Sequence, residues 1–276
     1  MSTTKMFRDP VILIHGAWQG SWAWNSFAPL LEADGFDVFA ADLPGNGSDS
    51  TDPADVTLDV YLDYFGRLLT EIARPVSLIA HSGGGAIATA VAERHAEQVA
   101  RIVYVAGMML PSGASFADVQ AEIDGSSAVP SGVTGELTWS ADRRVTTVPR
   151  AAATAILFSD CAPDLAAAAA AKLTPQGEGG RAIRVMTTPE RYGRIPRLYV
   201  EATEDRSLLL DVQRRMQQLV PGATVISLPT GHAPHVSAPY LLAEAILPFL
   251  QGGEAEMAEH NAPKSQATPL ADGASR

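Results

Sequence analysis

A chain of 276 residues with 46% hydrophobic content is long enough to bury a sizeable core. Its 31 acidic residues against 20 basic ones give a net charge of -11, and no cluster of Lys or Arg could follow a phosphate backbone, so nucleic acid is excluded as a partner. The one cysteine, Cys161, has no disulfide partner and reads as a small buried hydrophobe; no Cys/His pairs stand at zinc-finger spacing, and no apolar run approaches the ~20 residues of a membrane span.

Residues 1–9 form an N-terminal extension without the apolar core of a signal peptide, which predicts a soluble, cytoplasmic protein. Short apolar runs rich in β-branched residues then recur: "VILIH" (11–15), "DVFAA" (37–41), "VSLIA" (76–80), "RIVYVA" (101–106), "RLYVEA" (197–202) and "TVISL" (224–228). Segments 24–34, 58–73, 84–95 and 208–219 between them carry helical spacing. The alternation predicts an α/β class, a mostly parallel sheet with helices on both faces. Its rhythm breaks over 107–196, where Gly, Ser, Pro and alanine stretches such as "DLAAAAAAKL" predict a small, mostly helical insertion placed after a strand end, as a lid would be. A last helix is expected over 239–250, and 252–276, poor in large apolar residues, reads as a flexible tail. The core is thus 10–106 and 197–251, interrupted by one insertion.

The stretch "SLIAHSGGGAIATA" (77–90) passes from strand to helix with Ser82 at the break. In so sharp a turn the residues two before and two after the serine nearly touch, so both must be small, and here they are Ala80 and Gly84. The pattern G-x-S-x-G is met with alanine for the first glycine. Such a turn exposes the serine oxygen and aims the first helical amides at whatever it attacks. A serine needs a base and a group to orient that base. Two later strand ends offer them: "TEDRS" brings Glu204 and Asp205, and "PTGHAPH" brings His232 and His235, in the order serine, acid, histidine.

Together with "VILIHGAWQGSWAWNSFAPLLEADGFDVFAADLPGNGSD" and "TGHAPHVSAPYLLAEAI", these motifs resemble the α/β-hydrolase superfamily, within it the branch of plant methylesterases, hydroxynitrile lyases and bacterial esterases, over roughly residues 10–250. The resemblance implies an α/β-hydrolase fold with a helical cap and a cofactor-free, metal-free serine hydrolase that cleaves a small carboxylic ester through an acyl-enzyme. It selects Asp205, which ends the "TED" turn, and His232 as partners of Ser82, and it maps the oxyanion amides to Ala17 and Gly83. Lactonase, C–C hydrolase, lyase and receptor-like binding remain rival readings of the same fold. The plant lyases carry a lysine directly after the catalytic histidine, where this chain has Ala233.

Of Trp18, Trp22 and Trp24, which follow the oxyanion loop, Trp18 is the expected substrate contact. His15 and His81 read as packing groups, His95 and His260 as exposed, and "DLPGNGSD" (42–49) as a turn without a Walker lysine. The expected partner is a small-molecule ester, and the oligomeric state is open between monomer and homodimer.

Overall fold

The computed structural model describes residues 8–40, 42–125 and 131–252. The expected N-terminal extension up to residue 7, the expected tail from residue 253 and His260 lie outside the described residues. The chain runs through strands β1 (Val11–Ile14), β2 (Val38–Ala40), β3 (Val76–His81) and β4 (Val99–Val105). It then makes three very short strands, β5 (Thr138–Trp139), β6 (Val145–Thr147) and β7 (Gln176–Gly177), before β8 (Arg197–Ala202) and β9 (Ala223–Leu228). Six of them form one sheet in the order β2-β1-β3-β4-β8-β9, with every neighbouring pair parallel.

Successive strand residues alternate between two cores, as a period of two requires. Ile12, Ile14, Leu78, Ala80, Ile102 and Tyr104 pack with helices Leu58–Ile72, Gly84–Arg94 and Leu210–Leu219. Val11, Leu13, Ile79, Val103, Val105 and Val200 pack with Trp24, Phe27, Leu31 and helix Pro239–Leu250 on the opposite face. Covered on both sides, the central strands have no polar face, which is why they read as continuous apolar runs.

Three expectations need correction. The single helix expected over 24–34 is a 3-10 turn, Ser21–Trp24, followed by a separate helix, Ala28–Ala33. Pro29 has no N–H to give mid-helix and is tolerated only in a first turn, so the helix restarts around it. The stretch between β4 and β8 contains helices Phe116–Asp124 and Pro163–Ala170 and a π-helical turn, Ala153–Leu157, but also the three-stranded antiparallel sheet β5-β6-β7. Strands of two or three residues are too short to show periodicity. His95 is half-buried, not exposed, with its ring over Gly66 of the neighbouring helix, where an added Cβ would stand 3.6 Å from it.

A third apolar cluster joins the segment between β4 and β8 to the loops that follow β1 and β9. Trp18 and Ala233 pack there with Val133, Leu157, Phe158 and Ala166. Those loops lie at the C-terminal end of the sheet, where parallel sheets place ligand sites.

Candidate active site

The turn after β3 is held by close approach. Ser82 has a φ of 51°, in the left-handed region, and is pinned by its amide, which donates to Val105 C=O, and by its carbonyl, which accepts from the amides of Gly85 and Met108. A Cβ on Gly84 would lie 2.6 Å from His15 O and 2.9 Å from Ile14 O, both backbone atoms of β1 or its end. Gly84→Ala is therefore expected to destabilise the fold by about 2 to 3 kcal/mol, as overpacking against an immovable backbone does, measured by urea denaturation. Ala80, in place of the usual glycine, is fully buried within β3.

The three candidate side chains come from three different strand ends and meet. His232 Nε2 lies 3.0 Å from Ser82 Oγ, and His232 Nδ1 lies 2.7 Å from Asp205 Oδ2. The Asp205 and His232 side chains are 0% and 2% exposed. The other Asp205 oxygen, Oδ1, accepts the amides of Ser207 at 2.7 Å and Leu208 at 2.9 Å. With Asp205 an acceptor, Nδ1 carries the hydrogen, which leaves the Nε2 lone pair facing the serine hydroxyl. The alternatives separate: the Glu204 side chain is exposed, while His235, the other candidate base, is fully buried against Trp24 and His81, its ring nitrogens without a hydrogen-bond partner among the described residues. Burial pushes the His235 pKa down to about 3.

Ala17 and Gly83 approach each other across the turn: an added Cβ on Gly83 would stand 3.6 Å from Ala17 N. Among the described residues neither amide is engaged by a protein acceptor. Both line a narrow cavity, walled also by Tyr61, Gln176 and Arg181, with room for about one water. A roomier groove of about 480 Å³, between helices Leu58–Ile72 and Gly84–Arg94, holds none of the candidate residues.

Trp18 is only 5% exposed. Its indole N–H donates to Thr146 Oγ1 at 3.0 Å, its amide donates to Gln176 Oε1 at 3.3 Å, and its carbonyl accepts the Thr174 amide at 2.8 Å. What remains of Trp18 for a substrate is apolar ring surface, not a donor.

His15 and His81 shape the site as neutral groups. His15 donates from Nδ1 to Gly16 C=O at 2.9 Å and accepts the Leu43 amide on Nε2 at 3.1 Å, and burial lowers its pKa to about 4. His81 donates from Nε2 to the carbonyl of His232 at 2.8 Å; burial, then the neighbouring histidines, hold its pKa well below the ordinary value. Gln19, whose Oε1 accepts the Gly16 amide at 3.2 Å, Gln213 and Asp160 were missed by sequence reasoning. Gln213 ties the end of β8 to the acid loop, accepting from Ala202 N and donating to Ala202 O and Leu208 O. Its signal was available: it shares the buried face of an amphipathic helix with Val212 and Met216. Arg214 and Arg215 point elsewhere, paired with Glu201 and Glu122. Among the described residues no group of three His, Cys, Asp or Glu could hold a metal ion, and no helix is long and apolar enough to cross a membrane.

A parallel sheet whose strand ends carry a serine in a strained turn, an acid and a histidine defines a hydrolase scaffold, and the chain belongs to the alpha/beta hydrolase family, whose model matches residues 11–245. It is similar to a pyrethroid hydrolase of Sphingobium wenxiniae, 30% identical over 254 residues that cover 87% of this chain and 86% of that one. Methylesterase 2 of Arabidopsis thaliana is 27% identical over 256 residues, 86% of this chain and 94% of the relative. A crystal structure of a pyrethroid hydrolase from Sphingobium faniae superposes with a TM-score of 0.79 at 28% identity, covering 90% of this chain and 99% of that one. The protein is an esterase-type α/β hydrolase, a carboxylic ester hydrolase.

Proposed function

We propose that the protein hydrolyses small carboxylic esters through an acyl-enzyme on Ser82, with residues 107–196 acting as a cap over the site. The observation that carries this reading is the unbroken relay from Ser82 Oγ to His232 Nε2 at 3.0 Å and from His232 Nδ1 to Asp205 Oδ2 at 2.7 Å. His232 takes the hydroxyl proton as Oγ bonds to the acyl carbon, and the oxyanion that forms is met by the amides of Ala17 and Gly83. Collapse expels the alcohol, which receives the proton from His232; a water then repeats the sequence, giving its proton to His232 and its oxygen to the acyl carbon, and Ser82 recovers its hydrogen. Asp205 holds the ring in the tautomer that accepts and supports its charge once protonated. The esterase names of the relatives support an ester as substrate.

Lyase chemistry is disfavoured by Ala233, fully buried in an apolar cluster, which offers a departing anion neither charge nor hydrogen bond. A missing charge-assisted hydrogen bond costs about 1.5 to 3 kcal/mol. Incubation with chromogenic short-chain esters, a serine-directed phosphonate and mandelonitrile tests the proposal. Ester turnover, phosphonylation of Ser82 and negligible cyanide release are expected; cyanide release dependent on Ser82 with no ester cleaved would overturn it.

A further inference from the structure

The peptide that carries His232 is gripped from two sides. Its own carbonyl accepts from His81 Nε2 on the sheet side. On the other side, the amide of the preceding residue, Gly231, donates to Asp160 Oδ2 at 2.7 Å, and the same oxygen accepts the hydroxyl of Ser237 at 2.7 Å. Asp160 lies outside the sheet core, in the stretch between β4 and β8, two residues after Phe158, whose fully buried ring fixes the neighbouring backbone in the third cluster. One carboxylate oxygen thus closes both ends of the short segment 231–237.

The sequence of the loop fits this arrangement. An added Cβ on Gly231 would stand 2.5 Å from Asp160 Oδ1 and 2.7 Å from its Cγ, so a side chain here would drive the carboxylate out. The glycine preceding the histidine is therefore required by its approach to Asp160, not by backbone angle: Gly231 is absent from the residues with positive φ.

We infer that Asp160 is a positioning residue for the general base, coupling the seating of segment 107–196 to the aim of His232 at Ser82. The inference rests on the triad reading above. Asp160 touches neither Ser82 nor the ring of His232; it acts through the Gly231 amide, and a shift of the loop moves Nε2 relative to the serine oxygen. An asparagine oxygen can accept the same two hydrogens, so the role needs an acceptor and not a charge.

The test follows the acylation burst with 4-nitrophenyl acetate, and phosphonate labelling of Ser82, in Asp160→Ala, Asp160→Asn, Gly231→Ala and Ser82→Ala. Asp160→Ala is expected to slow acylation by about 10- to 100-fold with KM within about threefold, as a misplaced catalytic group does. Asp160→Asn is expected to acylate within about threefold of the parent, since both hydrogen bonds are kept. Gly231→Ala, which expels the carboxylate without removing it, should resemble Asp160→Ala and serves if that variant fails to fold. Parental acylation by folded Asp160→Ala or Gly231→Ala, or an Asp160→Asn as slow as Asp160→Ala, would overturn the assignment. Ser82→Ala distinguishes the two levels: a burst in that protein sinks the triad reading, whereas a silent Ser82→Ala beside a normal Asp160→Ala sinks only the role of Asp160.

Discussion

Ser82→Ala, His232→Ala and the double variant are each expected to lower kcat by a similar factor, roughly 10⁶-fold, while leaving the fold intact. On the proposed mechanism the three side chains act as a unit: without Oγ there is nothing to attack, and without Nε2, 3.0 Å away, nothing takes its proton. Removing the second member therefore costs little once the first is gone, and the residual rate reflects binding and the amides of Ala17 and Gly83. Ester turnover at saturating substrate, with folding checked by circular dichroism, gives the comparison. A double variant far slower than either single one, or a folded Ser82→Ala protein with near-normal turnover, would contradict the relay.

Acid is expected to destabilise the protein steeply, starting near pH 6.5, because buried neutral histidines surround the relay. His15, His81 and His235 are all fully buried, and burial lowers the pKa to about 4 for His15 and about 3 for His235, with His81 well below the ordinary value. The unfolded chain then binds protons at higher pH than the folded one, so stability is complete above the unfolded value of about 6.5 and falls as pH drops toward the folded values. His15 alone would withdraw on the order of 3 kcal/mol by pH 4, a large share of a typical domain's stability. Asp42 adds nothing in this window. Burial raises its carboxyl, but hydrogen bonds from Ser48 and Ser21 outweigh that and hold it at about 2, so its contribution is present above the unfolded carboxylate value of about 4 and is lost as pH falls from there toward 2. Urea denaturation at pH 7, 6, 5 and 4 should show the decline, and His235→Phe, which sacrifices no hydrogen bond, should flatten it. A constant unfolding free energy from pH 7 to 4.5 would refute the account.

How far such a site can be read in advance depends on what each residue announces locally. Strands β1, β3, β4 and β8 were legible because both their faces are covered, and the period of two is hidden inside uninterrupted apolar runs. Ser82, Asp205 and His232 stood out because each follows a strand end within four residues, so chain order alone suggested a meeting that the structure brings about. Gly84 was legible from sterics, being small where β1 passes close by. Asp160 announced nothing: its stretch, "FSDCAP", has no period, and its partners lie 71 and 77 residues further along the chain. The strands β5, β6 and β7 were invisible for their length, and Trp18, expected to contact substrate, spends its donor on Thr146.

A cap packed over the narrow cavity beside Ala17 and Gly83 would tie substrate affinity to conformational populations. On the cap reading proposed above, a substrate selects a form in which the segment carrying Thr146, Thr174 and Gln176 has drawn back from Trp18. Apparent affinity is the intrinsic affinity multiplied by the fraction of molecules in that form, and a tenfold rarer open form weakens every ester alike by about 1.4 kcal/mol. Since the same segment presents Asp160 to the base loop, opening also releases the hold on His232. On this reading admission and proton transfer belong to different members of the ensemble, and a variant that loosens the segment is expected to lower KM and kcat together.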